Sequence, residues 1–390
     1  MYFEPMNHDF HRDNKMKETP MENISSGTTS ASETSRHHYN RMLKQRLALS
    51  NIDANTVLAE QIKAINRQPI DILIANCPPN PPDGFPDATS QRFYYLSEIV
   101  GDDIPPGSPE CGAALACFLS QIVAAQINPN NNPAQVHSHA TLVVDRDCVV
   151  RQALTLPNRF TLAGIGPDGG GFLSFEDLPD GASALRFAPA VGSAVRMTTI
   201  RDIRISGGAS CCGQAGINVS HSQFVYIDRV RMSGFAFGVS GETAYSIFIS
   251  NSSIHGNGFA LTMGEDTTTW RVRDSVMNQN LIGAVITATA RGHVISGARI
   301  EANSVTGVYV NGSMNVIESS WFEGNGTLPQ GSSPEPTHHG IRITNLAQKT
   351  RVLSNVFSSQ LIGDEGTETQ SCFNMSFAPE SGNVNQKKSR

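Results

Sequence analysis

A six-residue block with apolar ends recurs along the second half of this chain. It begins at Ile200, Ile227, Ile249, Val272, Ile295, Ile317 and Val352 and closes at Ile205, Met232, Ile254, Met277, Ile300, Phe322 and Phe357. The steps between blocks are 27, 22, 23, 23, 22 and 35 residues. A glycine and an alternating strand follow each block, as at Gly216, Gly238, Gly258, Gly283, Gly307 and Gly340. A period near 22 with apolar residues at fixed phases means one superhelical coil per repeat, with about three short strands per coil. Each strand stacks in parallel on the next coil, roughly 4.8 Å away. Leucine-rich repeats have a similar length, but their Leu-x-x-Leu-x-Leu pattern is missing and helix formers are scarce. Asn257, Asn280, Asn303 and Asn325 also share one phase, with steps of 23, 23 and 22. Stacked amides at a tight turn can bond one another and the turn backbone.

The rest of the chain is organised around these coils. Residues 1–40 are low in large apolar side chains and read as a disordered tail, as do residues 378–390. Residues 41–107 read as a helical segment and a proline-rich linker. Asp53 is its N-cap, Val57, Leu58, Ile62 and Ile65 form one face, and Pro78-Pro-Asn-Pro-Pro82 follows. A second helix is expected over 113–126, ending before Asn128-Pro129. From Thr141 onward everything reads as short strands. Only 16% of residues are charged, the net charge is −6, and no Lys/Arg cluster stands out, so nucleic acid is not an expected partner. No apolar run is long enough to span a membrane, and no secretory signal is expected at the N-terminus. Seven cysteines at 77, 111, 117, 148, 211, 212 and 372 form neither a disulfide framework nor a CxxC pattern, which suits a reducing compartment.

The pattern Ile-x-x-x-x-Ile-x-x-Asn-x-x-Gly-Val-x-Val resembles the right-handed parallel β-helix repeat of the pectin-lyase-like superfamily. Ala140-Thr-Leu-Val-Val144 and Leu154-Thr-Leu-Pro-Asn-Arg-Phe-Thr-Leu-Ala-Gly164 resemble the opening coil of the pectate-lyase and phage-tailspike type of domain. There a short helix caps the open end, and residues 113–126 are placed for that role. The resemblance spans about residues 108–377 and implies an all-β right-handed parallel β-helix solenoid with an N-terminal capping helix. It specifies activity less well, because the superfamily holds lyases, hydrolases, epimerases and non-catalytic proteins. The paired aspartates of polygalacturonase-like hydrolases are absent from the coils; Gly101-Asp-Asp103 precedes them. The Arg-x-Pro-x-x-Arg pattern of pectate lyases is absent too, and no coil offers the clustered carboxylates of a calcium site.

Apolar anchors point inward, so their neighbours point out. This places Tyr226, Asp228, Arg271, Arg273 and Arg201 on one face within four coils, with Glu318 further along. The resemblance favours that face, since the first strand's outer side commonly carries the cleft. Arginines and an acid there suit a uronate carboxylate and the anion formed by proton abstraction beside it, with Tyr226 as acid or base. The alternative is a ladder of surface ion pairs in which Asp202, Arg229 and Asp274 partner these residues.

A second patch runs through His255, Asn278, Glu301 and Glu323. Glu301 and Glu323 fall on adjacent coils, a spacing near the carboxylate separation of about 5–5.5 Å in a retaining glycosidase. The ordinary alternative is a pair of solvated glutamates beside a turn. Residues 324–339 add about a dozen residues directly after Glu323, and such excursions often wall a binding site. His338 and His339 lie in that loop, where a solvated reading competes with a ligand role. His137 and His139 have one-face spacing but no third partner, and Cys211-Cys212 sits in another excursion, so no metal site is expected. No motif calls for a cofactor.

The expected function is a carbohydrate-active protein, a polysaccharide lyase or glycoside hydrolase on a uronate-type glycan. The alternative is a non-catalytic β-helix, tailspike-like and glycan-binding, or a scaffold. Tyr226, Phe248 and Trp321 are the candidates for sugar stacking, and they are not expected to share one column. A glycan is the expected partner. The expected location is cytoplasmic or outside the cell by a non-classical route, and the oligomeric state is open.

Overall fold

The computed structural model describes residues 93–127 except 102, 140–166, 171–187 except 180, 195–208, 214–326 and 339–377. The expected tails at 1–40 and 378–390, the amphipathic stretch around Val57 and Ile62, His137, His139, Cys211, Cys212 and His338 lie outside them. The coils stack into a right-handed parallel β-helix with three sheets of eleven, ten and nine strands among the described residues. The first sheet runs from Phe93–Tyr95 to Gln370–Cys372, the second from Cys148–Val150 to Met375–Phe377, and the third from Leu154–Leu156 to Leu361–Asp364. Every pairing between strands is parallel.

The apolar blocks form the interior. Ile200, Ile227, Ile249, Val272, Ile295, Ile317 and Val352 stack in register in the first sheet, all buried. Ile205, Met232, Ile254, Met277, Ile300, Phe322 and Phe357 do the same in the second. Each such side chain removed from water contributes about 1.5–3 kcal/mol, so the repeat itself carries the stability of the solenoid. A separate apolar cluster, with Phe237, Phe259, Ile282, Val285 and Tyr309, is buried on the third sheet.

Corners are made by residues in the left-handed region. Between the first and second sheets Asp202, Arg229, Asn251, Asp274, Gly297, Ser319 and Ser354 all have positive φ. One such residue reverses the chain direction without a long loop, which keeps successive coils at one length. At the next corner the asparagines are buried. The Oδ1 of Asn280 accepts from the backbone N–H and the Nδ2 of Asn257. Asn303 serves Asn280 in the same way, and Asn325 serves Asn303. Other corners use the same device with other residues. Ser252 and Ser275 accept from the backbone N–H groups of Val230 and Ser252, and His293 and Asn315 from those of Trp270 and His293.

The N-terminal end differs from the sequence reading in two ways. Phe93–Tyr95 is a strand that pairs with Ala140–Val144, and α1 (Leu96–Val100) follows it, so regular structure begins within the stretch read as linker. Helix α2 spans Pro109–Ile127 and lies across the open end, with Leu115, Phe118, Leu119 and Ile122 buried. A disulfide joins Cys111 on α2 to Cys148 on the first coil. That corrects the expectation from cysteine spacing. The pair is 37 residues apart in sequence and 5.5 Å apart between Cα atoms, a closeness that only the folded cap creates.

Candidate functional site

The outer face of the first sheet is built by strands Ser222–Asp228, Tyr245–Ser250 and Arg271–Arg273. Inward anchors at Ile227, Ile249 and Val272 turn the residues on either side of them outward. Tyr226, Phe248 and Arg271 are therefore in register on three consecutive coils. The Tyr226 ring is 40% exposed and stacks on Phe248 with centroids 4.9 Å apart and planes within 8°. Trp321 is on the second sheet, so the three aromatic candidates do not share one column, while Tyr226 and Phe248 do. Phe224 and Met197 are also solvent-exposed, at the start of neighbouring strands of this sheet. They sit in left-handed conformation, which the alternation of the strand did not foretell.

The charged residues of this face divide into two groups. Asp228, beside Arg201 in register, accepts hydrogen bonds from the Ser250 hydroxyl at 2.7 Å and Asn251 Nδ2 at 2.8 Å, and it pairs with Arg229. Arg229 also grips Asp202, with Nη2 at 3.0 Å from Oδ2, and Arg201 lies 3.7 Å from that carboxylate. Burial alone would raise the Asp228 pKa. The hydrogen bonds from Asn251 and Ser250, with the charges of Arg229 and Arg201, outweigh it and lower the value below the usual carboxylate range. Asp228 is thus a fixed anion within an ion-pair network, not a proton donor at neutral pH.

Arg271 and Arg273 are different. Both are exposed, and among the described residues neither guanidinium forms an ion pair or a hydrogen bond. The ladder of ion pairs exists at Asp202, Arg229 and Asp228 but stops before these two. Glu318 lies two coils beyond Arg273 in the same column.

The second patch is on a different sheet. Ser233, His255, Asn278, Glu301 and Glu323 are in register along the second sheet. Arg299 donates to both oxygens of Glu301, from Nη2 at 2.8 and 3.1 Å and from Nε at 3.0 Å. Trp321 Nε1 donates to Glu323 at 3.0 Å. The Ser253 hydroxyl is 3.5 Å from His255 Nδ1, and Asn278 Oδ1 is buried without a hydrogen-bond partner. Arg299 and Trp321 were not foreseen as partners, although their spacing two residues before each glutamate puts them on the same strand face. The chain leaves this region after Gly326 and rejoins at strand His339–Ile343, where His339 packs over Gly363 on the third sheet. The structure does not bring the two patches together, since a corner of the coil separates their sheets.

Comparisons with known proteins fit this architecture. Residues 180–383 match the family model described as periplasmic copper-binding protein (NosD). Among solved structures, DFA-IIIase from Arthrobacter chlorophenolicus A6 in complex with GF2 superposes with a TM-score of 0.55 at 12% identity. That match covers 74% of this chain and 88% of the other. The same enzyme without its lid gives 0.54 at 14% identity over 74% and 90%. The Dettilon tailspike protein gives 0.50 at 13% identity, over 74% of this chain and 63% of the tailspike. No curated protein matches the chain by sequence.

Proposed function

Because the chain belongs to the NosD family of parallel β-helix proteins, we propose that it is a carbohydrate-active member that binds a uronate-type polysaccharide on the outer face of its first sheet. The observation that carries this is the column Tyr226, Phe248, Arg271. Two stacked rings offer an apolar platform for a sugar face, and an unpaired guanidinium stands on the next coil, with Arg273 beside it. An arginine without a partner is free to take a carboxylate in bidentate fashion. The glycans in complex with DFA-IIIase agree with a sugar ligand.

The reaction this arrangement suits is β-elimination. Arg271 and Arg273 would neutralise the uronate carboxylate and stabilise the anion formed when the adjacent proton leaves; Tyr226, two coils away in the same column, would take that proton and return it to the departing glycosidic oxygen as the C–O bond breaks and the C=C bond forms. Asp228 would hold the neighbouring corner, through Ser250, Asn251 and Arg229, and Arg201 and Glu318 would flank the bound chain. A second reading is hydrolysis at the second sheet. It is favoured by the in-register pair Glu301 and Glu323, with Trp321 beside them as a stacking surface and His255 and Asn278 alongside. Arg299 works against it by occupying both oxygens of Glu301.

The family description names copper, and the described residues do not fit it. No three of His, Cys, Asp and Glu come together among them. His293 uses Nδ1 for the Trp270 N–H and Nε2 for Thr267, while Cys111 and Cys148 are bonded to each other. No step of the proposed chemistry runs through a metal.

The test is incubation of the full chain with uronate-containing and neutral polysaccharides, following ultraviolet absorbance of unsaturated product together with new reducing ends. Both signals, abolished by Arg273→Ala and retained in Glu301→Gln, are the expected result. Reducing ends alone, lost in Glu301→Gln, would move the function to the second sheet. Binding to the uronate polymer without either signal would leave a glycan-binding protein without catalysis.

A further inference from the structure

The outer face of the first sheet carries a second column beside Tyr226, Phe248 and Arg271. One residue after each inward anchor, Asp228, Ser250, Arg273, Ser296 and Glu318 stand in register on five consecutive coils. The guanidinium at the centre has a serine on each neighbouring coil and a carboxylate two coils away on either side. The column before the anchors continues from Arg271 through Val294 and Val316, neither of them charged. With strands stacked roughly 4.8 Å apart, each carboxylate lies about 10 Å along the axis from the central arginine.

The two carboxylates are in different states. Asp228 belongs to a network with Asp202, Arg201 and Arg229, two anions and two cations joined by ion pairs. The charges of that network cancel and its guanidiniums are engaged, so it offers nothing to a further carboxylate. Glu318 has no such company. Among the described residues its side chain forms no ion pair or hydrogen bond. Arg351 lies one coil further in the other column and does not bond it. Asp274, at the corner next to Arg273, leaves that guanidinium unpaired as well.

We propose that Glu318 determines specificity on this face, and that the glycan it selects carries isolated uronates flanked by sugars without a free carboxylate. This rests on the uronate reading of the first sheet and narrows it. A polymer lying along the solenoid axis with a carboxylate on every sugar brings one of them to Arg271 and Arg273 and another against Glu318. Like charges in that position repel, and a repulsive group is how a site rejects a near relative of its ligand. A polymer with one free carboxylate among neutral sugars keeps the arginine contact and avoids the repulsion. Its neighbouring sugars meet Phe248 and Ser250 on one side and Val294 and Ser296 on the other, apolar surface and hydroxyls that suit an uncharged ring.

The test is binding of the full chain to one polygalacturonate backbone with its carboxyl groups all free, about half methyl-esterified, or fully esterified, so that only the charge density changes. The half-esterified polymer is expected to bind best, with the free polymer at least about fivefold weaker at low salt. Glu318→Gln should recover most of that deficit for the free polymer and gain much less for the half-esterified one. Added salt should shrink the difference. If the galacturonate backbone is not bound, alginate esterified to the same three degrees takes its place. A free polymer that binds as tightly as the half-esterified one, or a preference that survives Glu318→Gln, would overturn the inference. Should that binding still be lost in Arg271→Gln, the uronate site itself stands. Binding of neither backbone, or binding indifferent to Arg271→Gln, would remove the site and this inference with it.

Discussion

The ring of Tyr226 lies parallel to that of Phe248 on the next coil, 4.9 Å between centroids and 8° between planes. The pair forms one flat surface at the solvent side of a rigid sheet, and a sugar face needs such a surface to be flat before it arrives. Replacing either ring with Ala is expected to weaken binding of the uronate polymer by on the order of 1 kcal/mol, with the melting temperature little changed. Phe248→Trp should preserve binding. Affinity electrophoresis over a gel series of polymer concentrations measures this, and equal retardation of Tyr226→Ala and the parent would refute the platform.

Arg271 and Arg273 stand two residues apart with Val272 buried between them, so both point outward from one strand. Unpaired exposed cations attract an anionic polymer through a term that salt screens. Arg271→Gln and Arg273→Gln should each weaken uronate binding by about tenfold at low salt and leave a neutral polymer unaffected. Arg229→Gln should do less to binding, because Arg229 already serves Asp202 and Asp228. Binding isotherms at two salt concentrations distinguish these cases, and an identical salt dependence in the parent and Arg271→Gln would count against the assignment.

The coils were legible because burial acts on the same phase in each of them. Ile227, Ile249 and Val272 face one interior, so the block recurs and the neighbouring residues are assigned outward without a structure. The stack of Tyr226 on Phe248 follows from the same register, and Trp321, on another sheet, stays outside it. What could not be read was any feature set by a corner. Arg229 reaches both Asp202 and Asp228 only because its positive φ turns the chain there, and no spacing rule encodes that. The Cys111–Cys148 bond was hidden for a related reason: its partners meet only after α2 has folded back across the coil.

Asn280 and Asn278 lie two residues apart and should respond in opposite ways. Asn280 is buried, accepts two hydrogen bonds from Asn257 and donates to Ile254 O and Asn303. Asn280→Ala leaves buried donors unmet on Asn257 and is expected to destabilise the fold by on the order of 3 kcal/mol. Asn278 Oδ1 has no partner to lose, so Asn278→Ala should fall within about 1 kcal/mol of the parent. Denaturant titration of the two variants gives the comparison, and equal midpoints would show that the corner amides contribute little.

The Cys111–Cys148 bond closes a loop of 37 residues and holds α2 on the end of the solenoid. A closed loop of that length limits the unfolded chain by about 3–4 kcal/mol. Cys148→Ser should therefore lower stability by about that amount and shift the first loss of protection to α2 and strand Cys148–Val150. Hydrogen exchange followed peptide by peptide reads both effects. If the cap kept full protection in Cys148→Ser, helix packing alone would hold it.

His293 gives the fold a dependence on acid. It is buried beside Trp270, accepts the Trp270 backbone N–H at Nδ1, and meets the Thr267 hydroxyl at Nε2. Burial pushes its pKa down from 6.5 to about 3, only slightly opposed by a hydrogen bond with the Thr267 backbone. A folded-state pKa below the unfolded value means that the unfolded chain takes up the proton first as pH falls. Stability is then full above about pH 6.5 and declines as pH drops from there toward 3, by up to about 1.4 kcal/mol per unit from this one group. Asp228, whose pKa is lowered in the fold, adds its own loss only at the acidic end of that range. His293→Gln keeps an acceptor for the Trp270 N–H and removes the titration. Its stability should be nearly flat between pH 6.5 and 5, where the parent declines, and guanidinium titrations at those two pH values decide it. A parallel decline in both proteins would place the acid sensitivity elsewhere.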